Sequence, residues 1–214
     1  MTFELNSHPN GGPESADGLH GGKVERSTME RKGGQVLRVA VICKANLFRS
    51  PAARVYLADA LGRSGLEAVV TSGGIMGEGN RIPSSYLAIA HDAGIDLSEH
   101  VSHQISAQEL LEQDLVLTMT RELLREAVVM APPIWPRAFT MREFLRRATA
   151  VGTRKPTEGL DHWFEAIGAN RTRSQLLGDD ESDDVADPVG GTAEDYRIML
   201  RQLERLSSDL ATLF

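Results

Sequence analysis

The only cysteine of the 214-residue chain lies in the segment Cys43-Lys44-Ala45-Asn46-Leu47-Phe48-Arg49-Ser50-Pro51. A thiol and a guanidinium separated by five residues suit a loop whose backbone amides surround a phosphate, because the planar arginine fork can bind two phosphoryl oxygens at once. The same amides, together with the start of a helix, favour the thiolate form of the cysteine. The segment therefore predicts a loop in which Cys43 attacks a phosphate group held by Arg49.

A second candidate for chemistry, Asp187, lies far downstream and is followed by Pro188. Attack on a phosphate ester expels an alkoxide or phenolate, which leaves faster when a carboxylic acid protonates it. Proline restricts the preceding residue to an extended conformation, so the carboxyl group can be aimed from a loop. We therefore expect Asp187 to be the general acid.

The elements that must position these residues alternate between strand and helix patterns. The predicted strands span 36–42, 67–72, 114–119 and about 137–140, and the predicted helices span 51–62, 83–93, 106–112, 121–130, 141–149 and 192–213. Such alternation predicts an α/β fold with a parallel sheet covered by helices on both faces. Ligands of such sheets bind beyond the carboxyl ends of the strands, which is where Cys43 falls.

Composition limits the classes of partner. With 41% apolar and 25% charged residues the chain can bury one core, and no apolar run is long enough to cross a bilayer, so we expect no membrane partner. A net charge of −7 argues against nucleic acid. The histidines show no metal-ligand spacing, and we expect neither a metal nor a cofactor.

The first 35 residues differ in composition from the rest. They are rich in glycine, serine, proline and charge, which predicts a disordered tail at 1–35 before a domain at 36–214. No secretory signal pattern is visible at the N-terminus, and a lone cysteine fits a reducing compartment. We therefore expect a cytoplasmic protein.

The loop and the Asp-Pro pair together resemble the low-molecular-weight protein tyrosine phosphatase family, whose signature is C-x5-R-S-P near the start of the domain and Asp-Pro near its end. Three further segments are similar to the family's and follow its order: Thr71-Ser72-Gly73-Gly74, Gly94-Ile95-Asp96-Leu97-Ser98-Glu99-His100 and Asp114-Leu115-Val116-Leu117-Thr118-Met119. The resemblance covers about residues 36–214. It implies a four-stranded parallel sheet of order 2-1-3-4 with the phosphate-binding loop after the first strand.

The resemblance also implies roles. Cys43 would form a phosphocysteine intermediate, Arg49 would clamp the phosphate, and Asp187 would act first as acid and then as base. The implied substrate-binding positions are Lys44, Ala45, Asn46, Leu47, Phe48 and Ser50, and the implied loop supports, besides Asn46 and Ser50, are Ser72 and His100. The implied substrate is a phosphotyrosine protein or another phosphomonoester, the product is inorganic phosphate, and a bacterial tyrosine kinase is a candidate partner.

Several positions depart from the family pattern. Ala45 stands where the family generally has glycine, which would weaken activity if that position needs a positive φ angle. Phe48 replaces the second loop cysteine of many members, so a protective disulfide cannot form. Val189, Gly190 and Glu78 stand where aromatic side chains often line the mouth of the site, so the preference for phosphotyrosine stays open.

An extra segment at about 150–182 interrupts the resemblance. Its Trp163 and Phe164 could supply the missing aromatic wall, although an amphipathic helix packed on the core is the favoured interpretation. The acidic stretch 179–184 is interpreted as a solvated face of the loop that carries Asp187.

Two other functions stay open. A weakly active or non-catalytic protein that binds phosphate or phosphopeptides would share the loop, and Ala45 and the missing aromatics motivate it. An arsenate reductase also shares the loop, but its thiol relay needs further cysteines, which the chain lacks. Leu47 replaces the threonine of the family's arginine phosphatases, which argues against phosphoarginine as the substrate.

Overall fold

The computed structural model describes residues 36–177 and 181–214. Its strands are β1 (Leu37–Cys43), β2 (Ala68–Gly74), β3 (Leu115–Thr118) and β4 (Ala138–Thr140), and they form one parallel sheet in the order β2-β1-β3-β4. The predicted fold class and strand order are confirmed. The predicted disorder of residues 1–35 lies outside the described residues.

Helices connect the strands and cover the sheet. In the described part of the chain the α-helices are α1 (Arg49–Arg63), α2 (Ser84–Asp92), α3 (Ala107–Leu111), α4 (Arg121–Met130), α5 (Met141–Val151), α6 (Leu160–Gly168) and α7 (Ala193–Ala211). Short 3₁₀ turns occupy Pro132–Arg137, Arg173–Leu177 and Glu181–Asp183. None of the helices described is long and apolar enough to cross a membrane.

The central strand β1 is buried on both faces, which explains its nearly continuous apolar sequence. Val39 and Val41 belong to the larger core, which contains residues of α1, α5, α6 and α7. Ala40 and Ile42 belong to the smaller core, with residues of α3 and α4 on the opposite face. This two-sided packing fixes the carboxyl end of β1, where Cys43 lies.

The extra segment packs on the larger core rather than at the mouth of a site. In α6, Trp163 and Phe164 are only 1% and 5% exposed, and the ring of Trp163 lies 5.0 Å from that of Phe214 and 6.0 Å from that of Phe144. The helical interpretation of this segment is confirmed. The alternative, in which Trp163 and Phe164 form an aromatic wall, is wrong because the apolar face of α6 completes the core instead.

The acidic stretch was predicted to be solvated, and this is wrong for its last two residues. Asp183 is 2% exposed and pairs with Arg121 of α4 at 2.6 Å and with Arg146 of α5 at 3.0 Å. Asp184 accepts a hydrogen bond from the backbone N–H of Arg121 at 2.8 Å. Arginines from two helices converge on this segment, which the local acidic sequence could not indicate. Asp179 and Asp180 lie outside the described residues.

Candidate active site

Cys43 is the last residue of β1 and the first of a loop, residues 43–50, that leads into α1; we call it the phosphate loop. The residue is 3% exposed, and its sulfur accepts hydrogen bonds from the backbone N–H of Asn46 at 3.2 Å and from the Ser50 hydroxyl at 2.9 Å. Two donors on one sulfur stabilise a negative charge there. Because α1 begins at Arg49, the free N–H groups of its first turn lie at the same end of the sheet.

Arg49 reaches from the first turn of α1 to the segment before α7. Its side chain is 5% exposed, its Nη1 donates to the carbonyl oxygen of Val185 at 3.1 Å, and its Nη2 pairs with the carboxylate of Asp187. The other carboxylate oxygen, Oδ1, accepts a hydrogen bond from the backbone N–H of Val189 at 3.2 Å. The structure therefore brings together Arg49 and Asp187, which are 138 positions apart in sequence, and Cys43 lies at the start of the loop that leads to Arg49.

Asn46 is the centre of the loop's hydrogen-bond network. Its φ angle is +51°, and its side-chain amide donates to the hydroxyls of Ser50 at 2.9 Å and Ser72 at 3.1 Å. Asparagine tolerates this left-handed conformation better than most residues. Among the described non-glycine residues, positive φ occurs at Asn46 and Asn170 but not at Ala45. The backbone cost that Ala45 would carry at a positive φ angle therefore does not arise.

His100 supports the same residue from outside the loop. Its Nε2 lies 2.7 Å from the carbonyl oxygen of Asn46. Burial lowers the pKa of His100 and the charge of Arg54 lowers it further, while the hydrogen bond to Asn46 opposes them. A neutral ring carrying its proton on Nε2 satisfies this contact at neutral pH. Ser50, Ser72 and His100, the residues expected to support the loop, all lie within this network.

Two supports of the loop are not among the residues that sequence reasoning selected. The backbone N–H of His103 donates to Oδ1 of Asn46 at 3.0 Å, and a backbone donor has no signature in the residue type. Gly74 lies directly under the loop, because a Cβ atom there would come within 2.9 Å of backbone atoms of Lys44, Ala45 and Asn46. The pair of glycines that ends β2 was the available signal for this close approach.

The mouth of the site is a cavity of about 400 Å³. It is lined by Lys44, Arg49, Thr120, Glu122, Leu123, Glu126, Glu181, Asp184, Val185, Ala186 and Asp187. No aromatic side chain is among these, and Val189 beside them is 66% exposed. Within the described residues, no cluster of three metal-ligating side chains is placed to hold an ion.

Two further side chains of the loop contact the larger core. Leu47 and Phe48 are partly buried against the larger core. The ring of Phe48 lies edge-on to those of Tyr86 of α2, at 4.7 Å between ring centroids, and Tyr196 of α7, at 5.6 Å. Phe48 therefore anchors the phosphate loop to two helices through its ring.

Solved structures share this fold. A low molecular weight protein tyrosine phosphatase from T. tengcongensis is 25% identical with a TM-score of 0.60, over 81% of this chain and 97% of that one. The YwlE arginine phosphatase from Geobacillus stearothermophilus is also 25% identical, with a TM-score of 0.57, over 82% of this chain and 90% of that one.

Sequence comparison agrees with the structural comparison. The low molecular weight protein-tyrosine-phosphatase Wzb of Salmonella typhi is 31% identical over 100 residues, which are 44% of this chain and 62% of Wzb. The chain thus matches less than two thirds of that relative's length. The family model described as low molecular weight phosphotyrosine protein phosphatase matches residues 38–174, which include the phosphate loop. The chain belongs to the low molecular weight phosphotyrosine protein phosphatase family.

Proposed function

We propose that the protein hydrolyses phosphate monoesters through a phosphocysteine intermediate, with phosphotyrosine in proteins as its substrate. The observation that carries this proposal is that the phosphate loop, which begins at Cys43, ends in an arginine that contacts the candidate acid. The hydrogen-bonded thiol of Cys43 lies at one end of the phosphate loop, the guanidinium of Arg49 lies at the other, and the carboxylate of Asp187 pairs with that guanidinium.

In the first step, the thiolate of Cys43 attacks phosphorus, an S–P bond forms and the P–O bond of the ester breaks. Arg49 binds two of the phosphoryl oxygens, and its hydrogen bonds strengthen as charge develops on them. Asp187 gives its proton to the departing oxygen, which leaves as a neutral phenol or alcohol. The hydroxyl of Ser50, 2.9 Å from the sulfur, holds the thiolate in place before attack.

In the second step, water attacks the phosphorus of the phosphocysteine. Asp187, now a carboxylate, takes a proton from that water. The S–P bond breaks, inorganic phosphate leaves and the thiolate of Cys43 is restored. Two donors on the sulfur, from Asn46 and Ser50, make it a better leaving group.

Phosphotyrosine is supported by the names of Wzb and of the T. tengcongensis phosphatase. A bacterial tyrosine kinase would then supply the substrate. The YwlE relative is named an arginine phosphatase, but Leu47 here is apolar, which disfavours phosphoarginine as the substrate. The unpaired thiol of Cys43 must stay reduced to work, and this supports a cytoplasmic location.

Hydrolysis of phosphotyrosine, phosphoserine and phosphoarginine peptides, measured side by side by phosphate release, tests the proposal. We expect turnover of phosphotyrosine, none above background with Cys43→Ser, and a loss of about a hundredfold or more with Arg49→Lys because lysine cannot bind two oxygens at once. Arg63→Lys is the matched control, since Arg63 ends the same helix and its side chain is 67% exposed. It should keep full activity.

Two outcomes would contradict the proposal. Turnover that survives in Cys43→Ser would exclude the covalent route. Wild-type protein that binds inorganic phosphate or vanadate but hydrolyses none of the peptides would support the non-catalytic alternative instead. The ordinary φ angle of Ala45 has already removed one reason for that alternative.

A further inference from the structure

The cavity at the phosphate loop, of about 400 Å³, carries an uneven distribution of charge. The cations that line it are Lys44 and Arg49, and Arg49 pairs with Asp187. The other acidic side chains of the lining, which we call the acidic wall, are Glu122, Glu126, Glu181 and Asp184. Among the described residues that line the cavity, Lys44 is therefore the one cation left to face four carboxylates.

The arginines of α4 do not neutralise the acidic wall, because they do not line this cavity and contact other groups. The side chain of Arg121 pairs with Asp183, and only its backbone N–H contacts Asp184. Arg125 donates to the carbonyl oxygen of Leu176. The three glutamates of the wall form no ion pair with any residue in the described part of the chain.

Two of these glutamates share one face of α4. Glu122 and Glu126 lie four positions apart, which is one turn of the helix, and both are exposed. Glu122 lies in the first turn, where a carboxylate suits the helix dipole. Glu126 lies beyond that turn, and its like charge one turn from Glu122 slightly disfavours the helix. The stability of α4 therefore does not account for Glu126.

A bound phosphotyrosine leaves the acidic wall without any cation of the cavity. Its phosphate carries about two negative charges, and Lys44 and Arg49 are the lining cations that offset them. The wall then repels acidic residues beside the phosphotyrosine and attracts lysine or arginine there. No aromatic side chain lines the cavity, so charge rather than ring stacking distinguishes one substrate from another.

We propose that Glu122 and Glu126 select phosphotyrosine segments in which lysine or arginine lies beside the phosphotyrosine. This selection rests on the proposed function, because it requires the phosphate loop to hold the phosphotyrosine. Glu122 and Glu126 line the same cavity as the phosphate clamp Arg49, so a peptide whose phosphate is held there lies against the acidic wall. The two glutamates determine specificity by contacting the neighbours of the phosphotyrosine.

Binding of three phosphotyrosine peptides to Cys43→Ser, which cannot turn them over, tests the selection. The peptides differ only in the residues on either side of the phosphotyrosine, which are lysine, glutamine or glutamate. By fluorescence anisotropy we expect the lysine peptide to bind about tenfold or more tighter than the glutamate peptide, with the glutamine peptide between them. The ratio should shrink when sodium chloride is raised from about 0.02 M to about 0.5 M, because salt screens exposed charges.

The double variant Glu122→Gln, Glu126→Gln on the same background should reduce this ratio by about threefold or more. The matched control is Glu67→Gln, Glu165→Gln, which changes the net charge equally at two exposed positions outside the cavity. It should keep the ratio of the Cys43→Ser protein. Because each ratio compares two peptides on one protein, a general loss of affinity in a variant cancels.

Two results would overturn the selection. One is equal binding of the three peptides to Cys43→Ser. The other is a lysine preference that the double variant keeps in full, or that the control loses to the same extent, since the overall charge of −7 rather than the acidic wall would then be its cause.

Steady-state kinetics of the wild type with the same peptides separates this selection from the proposed function. We expect the highest kcat/KM for the lysine peptide, with the difference in KM rather than in kcat. A wild type that hydrolyses none of the peptides, while Cys43→Ser still binds the lysine peptide most tightly, would overturn the proposed function and support the selection. Equal kcat/KM and equal binding for all three would support the proposed function and overturn the selection.

Discussion

Arg49 and Asp187 form an ion pair that joins the start of α1 to the segment before α7. The arginine side chain is 5% exposed and that of the aspartate 38%, so the pair lies at the border between the buried loop and the cavity. The same guanidinium is the proposed phosphate clamp. A phosphoryl group that binds both Nη1 and Nη2 of Arg49 must displace the carboxylate of Asp187. That carboxyl group can then contact the oxygen of the leaving group.

Asp187→Asn should therefore slow catalysis according to the leaving group. With a phenol of high pKa, as in phosphotyrosine, we expect kcat to fall by about a hundredfold or more, since proton transfer in the transition state is lost. With a nitrophenol of low pKa the first step needs little help and the loss should be smaller. Steady-state kinetics with a series of aryl phosphates checks this, with Asp209→Asn of α7 as the matched exposed control. An equal loss for all leaving groups would contradict the acid role.

Gly74→Ala tests whether the sheet holds the phosphate loop in shape. The added Cβ would lie 2.9 Å from three backbone atoms of the loop, so the loop must move, and we expect a loss of about 1–3 kcal/mol in the free energy of unfolding together with a lower kcat. Gly62→Ala in α1 is the matched control, since nothing lies within 4 Å of its Cβ. It should raise stability by up to about 1 kcal/mol. Denaturant unfolding and aryl phosphate kinetics measure both variants.

Much of this architecture is predictable because local signals carry it. One short segment specifies the phosphate loop: the apolar run of β1 ends at Cys43, and Ser50-Pro51 marks the start of a helix. Ser72 and His100 could be selected only through the family resemblance. A serine after a strand or a histidine in a turn does not by itself indicate a functional role. The distance from Ser72 to Asn46 depends on the register of β1 with β2. The distance from His100 to Asn46 depends on where the segment between α2 and α3 packs. Both are tertiary properties.

Other features of the structure depend on contacts between residues that are distant in sequence, and the local sequence does not indicate these contacts. Trp163 is suited by type to an aromatic wall, and only the position of α6 on the core decides against it. Asp183 lies in an acidic stretch whose sequence predicts exposure to solvent, but it is buried and pairs with arginines of α4 and α5. In both cases the partner is distant in sequence, so the pattern around the residue cannot reveal its environment.

Asp183→Ala tests the importance of that buried pairing. Removing the carboxylate leaves the guanidinium of Arg121, 17% exposed, without this partner, and breaking a buried ion pair costs about 3 kcal/mol. The segment leading to Asp187 should loosen as well, so kcat should fall. Chemical denaturation and aryl phosphate kinetics give the two values. Glu165→Ala, at an exposed position of α6, is the control, and a similar small effect for both variants would show that the pairing is not important.

His100 makes the stability of the folded chain depend on pH. Burial holds the pKa of His100 below its ordinary value of 6.5, so between the folded and unfolded values the unfolded chain binds a proton that the folded chain does not. The contribution of His100 to the free energy of unfolding is thus fully present above pH 6.5. It is lost as the pH falls through the lowered pKa of His100 in the folded chain.

His100→Gln should remove this dependence and bring a lower stability at pH 7.5, since the contact of 2.7 Å to the Asn46 carbonyl is weakened or lost. Urea unfolding of wild type and variant between pH 7.5 and pH 5 gives the difference between their free energies. That difference should shrink as the pH falls, because only the wild type loses stability through this ring. A difference that stays constant with pH would mean that His100 binds protons equally in both states.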